Sequence, residues 1–448
     1  MKLRNLFLAG LAVCTMASCS KDETIDYSQM GPVDAYVSLA ATSAIQTKAT
    51  VDTEGKELLD GEKYINSLTA YVFKQDGGDG VLAGVKHLTV EEANKTENGK
   101  KLVGDNGLLA INHIVVKVTP NAEGTSSTDQ FTAVIVANCD QLSVSSLKDL
   151  KSKTIATALT TPADVQAGKA YLPMTSDEIK FGGLVPNVVV NGVTSTYTEN
   201  WLSKGSSTTV SQVKDGSDPV DIPTTGITAI TLNRLVARVQ VEKLIFNLEE
   251  QYPGASFKLQ NMSLVNVRPT STVEIGNGKY VKGYVSAAYA VSQKWISPSS
   301  STVPALAKTY TYNAFSGRDV TVDFSSNTYK DDKFCVYAYS NAEVPAEQEV
   351  AKGPDYTNDN NIYQTALLIA GEFKRSSTAK AEVRHFRVLL KDKDQPVKVL
   401  ANHVYKLTVT ITGEGSPNED EILLNAHVAA TIEVAPWNVI IQEEDDAN

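Results

Sequence analysis

Two positions near the start of the chain invite covalent chemistry. Cys19 closes the run Met16-Ala-Ser-Cys19, with small residues ahead of a thiol that is a candidate for acylation. Lys48 precedes Ala49 in the small, polar run Gln46-Thr-Lys-Ala-Thr50, a setting in which a trypsin-like protease can hydrolyse the peptide bond. Both reactions would be carried out on this chain by other enzymes. Signatures of chemistry performed by the chain itself are missing. The five histidines (His87, His113, His385, His403 and His427) are scattered, with no HExxH and no close pair, and there is no GxSxG, P-loop or CxxC. Asp355-Tyr-Thr-Asn-Asp-Asn-Asn361 is rich in oxygen ligands but lacks the glycine and terminal glutamate of a calcium loop, so it reads as a solvated turn. No two carboxylates stand at a defined spacing, and a dyad assembled from distant strands would leave no trace in sequence. The expectation is a non-enzyme with no catalytic residue, no metal and no cofactor.

What must position these two handles is the stretch between them, Asp34-Ala-Tyr-Val-Ser-Leu-Ala-Ala-Thr-Ser43. It alternates as a strand, with Val37, Leu39 and Ala41 on one face. A strand held between an anchor and a protease site makes sense if it is removable. Its departure would leave unpaired backbone groups and an apolar slot, which strand addition satisfies together. The tail offers Trp437, Val439 and Ile441 at the same period of two, and these larger side chains should bury more apolar area than the strand they replace. The preceding run, Val428 to Val434, reads as the last strand of the chain's own second domain.

Upstream of Cys19, Lys2 and Arg4 form a basic start and Leu6 to Ala17 a short apolar run. That run is too short for a membrane-spanning helix, which needs ~20 residues. Met16-Ala-Ser-Cys19 resembles the lipobox of bacterial lipoproteins, and Ser20-Lys-Asp-Glu23 resembles the acidic surface-export tag of Bacteroidetes lipoproteins. Acyl chains on Cys19 would hold the precursor to the outer membrane.

With 448 residues the chain suits two domains of roughly 200 residues each. A formal net charge of −11 argues against nucleic acid and against docking on anionic lipid through a basic patch. Cys139 and Cys335 fall in apolar strand-like runs in different halves and read as buried free thiols. No arginine occurs between Arg4 and Arg234, so trypsin-like processing in the first half must act after lysine.

Strand-like runs dominate, separated by Pro, Gly, Asn and Ser clusters: Tyr64 to Phe73, His113 to Val118, Phe131 to Ala137, Met174 to Ile179 and Val185 to Val190 in the first half. Ser143 to Ala158 carries a helical period behind a serine cap. The polar stretch from Tyr197 to Thr225 reads as a long loop or interdomain connection, and Ile227 to Phe246 as one long strand opening the second half. Phe257 to Val267, Lys279 to Ala287, Val320 to Phe324, Phe334 to Tyr339, Ala366 to Phe373, Phe386 to Leu390 and Val404 to Ile411 continue the strand pattern. Two antiparallel β-sandwiches in tandem are the economical architecture.

Four segments in order resemble the major fimbrial subunits (fimbrillins) of Bacteroidales, which build type V pili. They are the lipobox with the alternating strand and Lys48-Ala49; the run Phe131 to Asn138 followed by a helix; Leu232-Asn-Arg-Leu-Val-Ala-Arg238; and His403 to Gly415 followed by Ala426 to Trp437. The resemblance implies a mainly β protein of two tandem transthyretin-like sandwiches with a few short helices. It implies residues 1–18 as signal peptide, 19–48 as a propeptide holding the removable strand, 49–226 as the N-terminal domain and 227–448 as the C-terminal domain with a terminal donor strand. A lipidated precursor would be cut by a trypsin-like protease and polymerise with identical subunits at the cell surface, serving adhesion. Anchor and tip proteins of the fimbria and a host or bacterial surface ligand would be its partners. In the best-known fimbrillins the cut follows arginine; here Lys48 occupies that place, so a lysine-tolerant protease is required. The rival readings are a lipid-anchored pilus anchor, a tip adhesin, a surface glycan-binding lipoprotein and, last, a hydrolase. Trp201, Trp295 and Trp437 are too dispersed to make an aromatic glycan platform.

Overall fold

Period-two alternation is realised as strands throughout the computed structural model. It describes residues 26–43, 45–46, 60–91, 109–155, 164–165, 167–188, 197–202, 208–213, 229–246, 252–265, 271–274, 307–309, 313–314, 320–323, 335–340, 365–389, 391–392, 395–396, 399–417, 428–436 and 440–441. The protein is mainly β, with one short α-helix described, Leu147–Ser152.

Ten strands form one sheet: β1 (Val33–Thr42), β2 (Ser67–Lys74), β3 (Val81–Thr89), β4 (Leu109–Val118), β5 (Gln130–Ala137), β6 (Met174–Ser176), β7 (Ile179–Gly182), β8 (Tyr197–Leu202), β9 (Thr208–Val213) and β10 (Ile230–Arg234). Their order is β9-β8-β1-β10-β6-β5-β2-β3, with β4 also pairing β1 and β7 also pairing β5. The sheet folds over a core that includes Val37, Leu39, Leu68, Phe73, Ile111, Phe131 and Ile135. Where β3 crosses β4, Gly84 is required, because a Cβ there would lie 2.7 Å from the Val115 carbonyl.

In the second half, β11 (Val236–Phe246), β13 (Cys335–Tyr339), β16 (His403–Ile411) and β17 (Val428–Pro436) join Val320–Asp323 in a five-stranded sheet. A second five-stranded sheet holds β12 (Ser256–Val265), β14 (Ala366–Lys374) and β15 (Glu382–Leu389) with Ala307–Thr309 and Asn313–Ala314. The two pack over one core, in which Val239, Val241 and Leu407 of the first sheet meet Phe257, Leu259 and Ile369 of the second.

Several expectations are corrected. The helix covers Leu147–Ser152 only: Ser146 caps it by accepting the Asp149 amide at 3.1 Å, Lys153 is extended, and Thr154–Ile155 pairs with Ser271–Thr272. Ile227 to Phe246 is two strands in two sheets. The chain breaks at Leu235, whose amide donates to Pro173 O at 2.9 Å, so β10 pairs with β6 while β11 pairs with β16. Residues 185–188 form no strand. The stretch expected as a loop from Tyr197 begins with the hairpin β8–β9, in full antiparallel register. The expected strand Lys279 to Ala287 lies outside the described residues. Cys139 and Cys335 are not joined in a disulfide, and both are half-buried where full burial was expected.

Candidate functional site: strand β1 and its groove

Every residue of β1 from Ala35 to Thr42 is buried, and Ser43 beyond it. Ala35, Val37, Leu39 and Ala41 point into the core, as the alternation requires. On one edge β1 runs antiparallel to β4, from Val33 opposite Val118 to Ala41 opposite Leu109. On the other edge it runs parallel to β8 over Tyr36–Leu39 and then parallel to β10 at Ala41 and Thr42. Within the sheet order, β1 therefore joins the β8–β9 hairpin to the ladder that continues through β10 and β6. It is an interior strand, paired on both edges.

The face of β1 turned from this core carries a polar cluster that the sequence reading missed. Ser38 Oγ donates to Glu199 Oε2 at 2.7 Å, and His113 Nδ1 pairs with Glu199 Oε1 at 2.7 Å. The His113 amide donates to Ser38 Oγ at 3.2 Å, and the His113 ring stacks on Tyr36 with centroids 3.9 Å apart. The Glu199 side chain is 0% exposed. Here Ser38 faces two residues of β4, a β-bulge, and His113 takes the left-handed region at φ 58°. Lys86 stands nearby, donating to Asn112 O at 2.7 Å; burial pulls its pKa down, against the opposing pull of the Glu199 charge.

A serine, a histidine and a glutamate in contact suggest hydrolysis, but the wiring is wrong. A nucleophilic serine is bonded to the histidine that takes its proton. In this cluster the carboxylate stands between the two, and the hydroxyl is buried with its donor and an acceptor site in use. The cluster holds β1 in the sheet. No group of three or more His, Cys, Asp or Glu able to hold a metal occurs among the described residues.

Beyond β1 and its continuation Ile45–Gln46, the next described element is the turn Asp60–Lys63. Ser43 Oγ donates to Lys63 O, and Glu62 enters a buried cluster with the second half. Arg238 Nη1 donates to both Glu62 oxygens at 3.0 and 2.7 Å, Tyr337 Oη donates to Oε1 at 2.7 Å, and Arg234 Nε donates to the Glu62 carbonyl at 3.1 Å. Burial lowers the Arg234 pKa to about 10. For Arg238 burial is the largest influence and works against the charge, but the charge and hydrogen bond of Glu62 together with Cys335 and Tyr337 outweigh it, and the net direction is upward.

The tail has two parts. β17 pairs antiparallel with β16 along its whole length, ending at Pro436 opposite His403. Ile440–Ile441 then runs parallel to Ile45–Gln46, the continuation of β1. Of the expected site residues, the structure brings Val37, Leu39 and Ala41 together on the core face of β1. Ile441 lies beside that strand's continuation, and its side chain is not described. Cys19, Lys48, Ala49, Trp437 and Val439 lie outside the described residues.

Residues 35–223 match the family model of the major fimbrial subunit protein (FimA). Over 463 aligned residues, 99% of each chain, the sequence is 25% identical to the major fimbrium subunit FimA type-5 of Porphyromonas gingivalis. A stretch of 95 residues is 37% identical to Fim1C, a candidate fimbrium tip subunit of Parabacteroides distasonis, covering 20% of this chain and 24% of the relative. The fold is similar to that of a candidate cell adhesion protein from Parabacteroides distasonis, with a TM-score of 0.54 and 17% identity over 91% of this chain and 100% of the other. The matched span opens inside β1 and takes in the β8–β9 hairpin beside it; over residues 35–223 by the family model, and along its length by the relative, this chain is similar to the major fimbrial subunit (FimA) family.

Proposed function

We propose that this protein is a structural subunit of a surface fimbria that polymerises by strand exchange and serves adhesion. The precursor is lipidated at Cys19 and held at the outer membrane. A trypsin-like protease cuts between Lys48 and Ala49, β1 departs, and the segment after Pro436 of an identical subunit takes its place. Its partners are copies of itself, the anchor and tip proteins of the same fimbria, the protease and a surface ligand. The observation that carries this reading is the position of β1. It is an interior strand paired on both edges, and Lys48 follows its continuation Ile45–Gln46 by only two residues in sequence. A strand so placed cannot leave without opening the sheet, and the open sheet must be refilled.

The similarity of 95 residues to a candidate tip subunit supports a second reading, in which the protein caps a fimbria instead of forming its stalk. Immunogold labelling of cells with antibody to this protein separates the two. Gold along the fibre length supports the stalk, gold confined to fibre ends supports the tip, and gold on the membrane without fibres contradicts both. Lipidation is tested by Cys19→Ala, which should abolish incorporation of labelled palmitate.

A further inference from the structure

When β1 leaves, its groove keeps linings that differ in what they ask of the next strand. The apolar floor accepts any strand of alternating hydrophobic residues. Two side contacts are equally permissive, because they read only backbone: Asn200 Nδ2 donates to Tyr36 O at 2.9 Å, and the Asn187 amide donates to Asp34 O at 2.8 Å. Glu199 is selective. Its carboxylate is fully buried and takes one hydrogen bond from the Ser38 hydroxyl and one from His113. An aliphatic residue at the place of Ser38 would leave Oε2 buried without that donor, and an unmet buried charge is costly.

Resting on the strand-exchange reading above, we propose that Glu199 and His113 form a register pin, which seats the C-terminal segment of a second copy of this chain with the Asn438 side-chain amide where the Ser38 hydroxyl had been. Trp437-Asn-Val-Ile-Ile-Gln442 has the same phase as Val37-Ser-Leu-Ala-Ala-Thr42: apolar 437, 439 and 441 stand for 37, 39 and 41, and Asn438 stands for Ser38. A slip of two residues keeps the apolar phase but brings Pro436 or Ile440 to Glu199, and neither side chain carries a donor. Tyr36 leaves with β1, which frees room beside His113 for the longer amide. The direction is set by the pairing already present, since Ile440–Ile441 runs parallel to the continuation of β1. That same pairing assigns the occupant to another copy. Within one chain Ile440 sits opposite Ile45, seven residues past Ser38, and Pro436 is held opposite His403, so its own Asn438 reaches the pin only if β17 unzips from β16.

The test uses the full chain with a site-specific protease site placed at residues 50–56, nicked so that β1 stays bound without a covalent link. Synthetic peptides of residues 434–448, wild type, Asn438→Leu and Gln442→Leu, are added. Binding and release of the β1 fragment are measured. On the wild-type groove Asn438→Leu should weaken binding by about tenfold or more, the scale of one lost hydrogen bond to a buried charge, and Gln442→Leu should weaken it far less. In Glu199→Leu the Asn438 penalty should vanish; in Glu199→Gln, which preserves shape should the leucine variant not fold, it should shrink to about threefold or below. Equal binding of the wild-type and Asn438→Leu peptides to the wild-type groove would overturn the pin and leave strand exchange standing. An undiminished penalty in both Glu199 variants would also overturn it. If no peptide binds or displaces β1, strand exchange itself fails and the pin falls with it.

Discussion

Burial sets the behaviour of the ionisable side chains packed under the first sheet. The Cys139 thiol is pushed up to about 11, by burial first and by the charge of Asp140 second. Tyr71 is pushed up to about 12, again by burial, although its hydroxyl exchanges hydrogen bonds with the backbone of Leu142 at 2.7 and 3.2 Å. Only the thiolate attacks disulfide reagents, so near pH 8 about one Cys139 in a thousand should be reactive while the protein is folded. Comparison with Cys139→Ser should show that Cys139 reacts with a disulfide reagent only on unfolding. Both shifts also fix a sign for stability. In the window from ordinary to raised pKa, the unfolded chain releases protons that the folded chain keeps, so stability is full below about pH 8.5 and falls as pH rises toward about 12. Urea midpoints that decline from about pH 9 to 10.5 would bear this out; a rise would contradict it. Residue by residue, legibility was uneven. The core-facing trio Val37, Leu39 and Ala41 announced itself through local alternation. Glu199 could not, because it meets Ser38 across 161 positions and His113 across 86, and no local pattern records such a meeting.

Strands whose buried residues are apolar were readable as elements; strands whose buried residues are polar were not. β8 begins Tyr-Thr-Glu-Asn, a loop by composition, yet Glu199 and Asn200 are fully buried because β1 and the loop at Val185 meet their hydrogen bonds. The helix was overdrawn for a related reason: Ile155 fits a helical apolar period equally well as the inward residue of a short bridge to Ser271. At the tail, the expected division between the chain's own strand and a donor segment falls at Pro436, where the pairing with β16 ends. Deleting residues 437–448 should therefore leave a folded, processed monomer that does not assemble. Loss of a tryptophan packed in its own domain would cost ~3–5 kcal/mol, a large part of a typical stability of ~5–15. Thermal melting beside gel filtration checks this. A large drop in melting temperature with assembly intact would end the donor role of the tail.

For the whole molecule, the two halves are tied at several points. The Glu62 cluster joins Asp60–Lys63 to β10, β11 and β13. The bridge between Thr154–Ile155 and Ser271–Thr272 joins them a second time, and the Val273 amide donates to Lys153 O at 3.0 Å beside it. Tyr337, Tyr339 and Val404 of the second half pack on the first core. Such ties would let a subunit carry tension if it polymerises as proposed, and the placement of Glu62 adds a second consequence. In the strand-exchange proposal, a cut after Lys48 would leave the shortened chain tied to its second half at Glu62 while β1 loses its covalent link to it. Glu62→Gln removes the charge partner of a buried arginine, a change that costs ~3–5 kcal/mol when such a pair is broken from one side. It should lower the melting temperature by several degrees, with the loss confirmed if Arg238→Met in the same background restores part of it. The central claim, that β1 is absent from the assembled protein, is tested most directly by intact mass and N-terminal sequencing of subunits dissociated from purified fibres. The account predicts subunits that begin at Ala49, with no peptide from residues 33–42 anywhere in the fibre, and a Lys48→Ala chain that stays longer, lipid-bearing and unpolymerised. Fibres built from subunits that still contain Val37, Leu39 and Ala41 would contradict it.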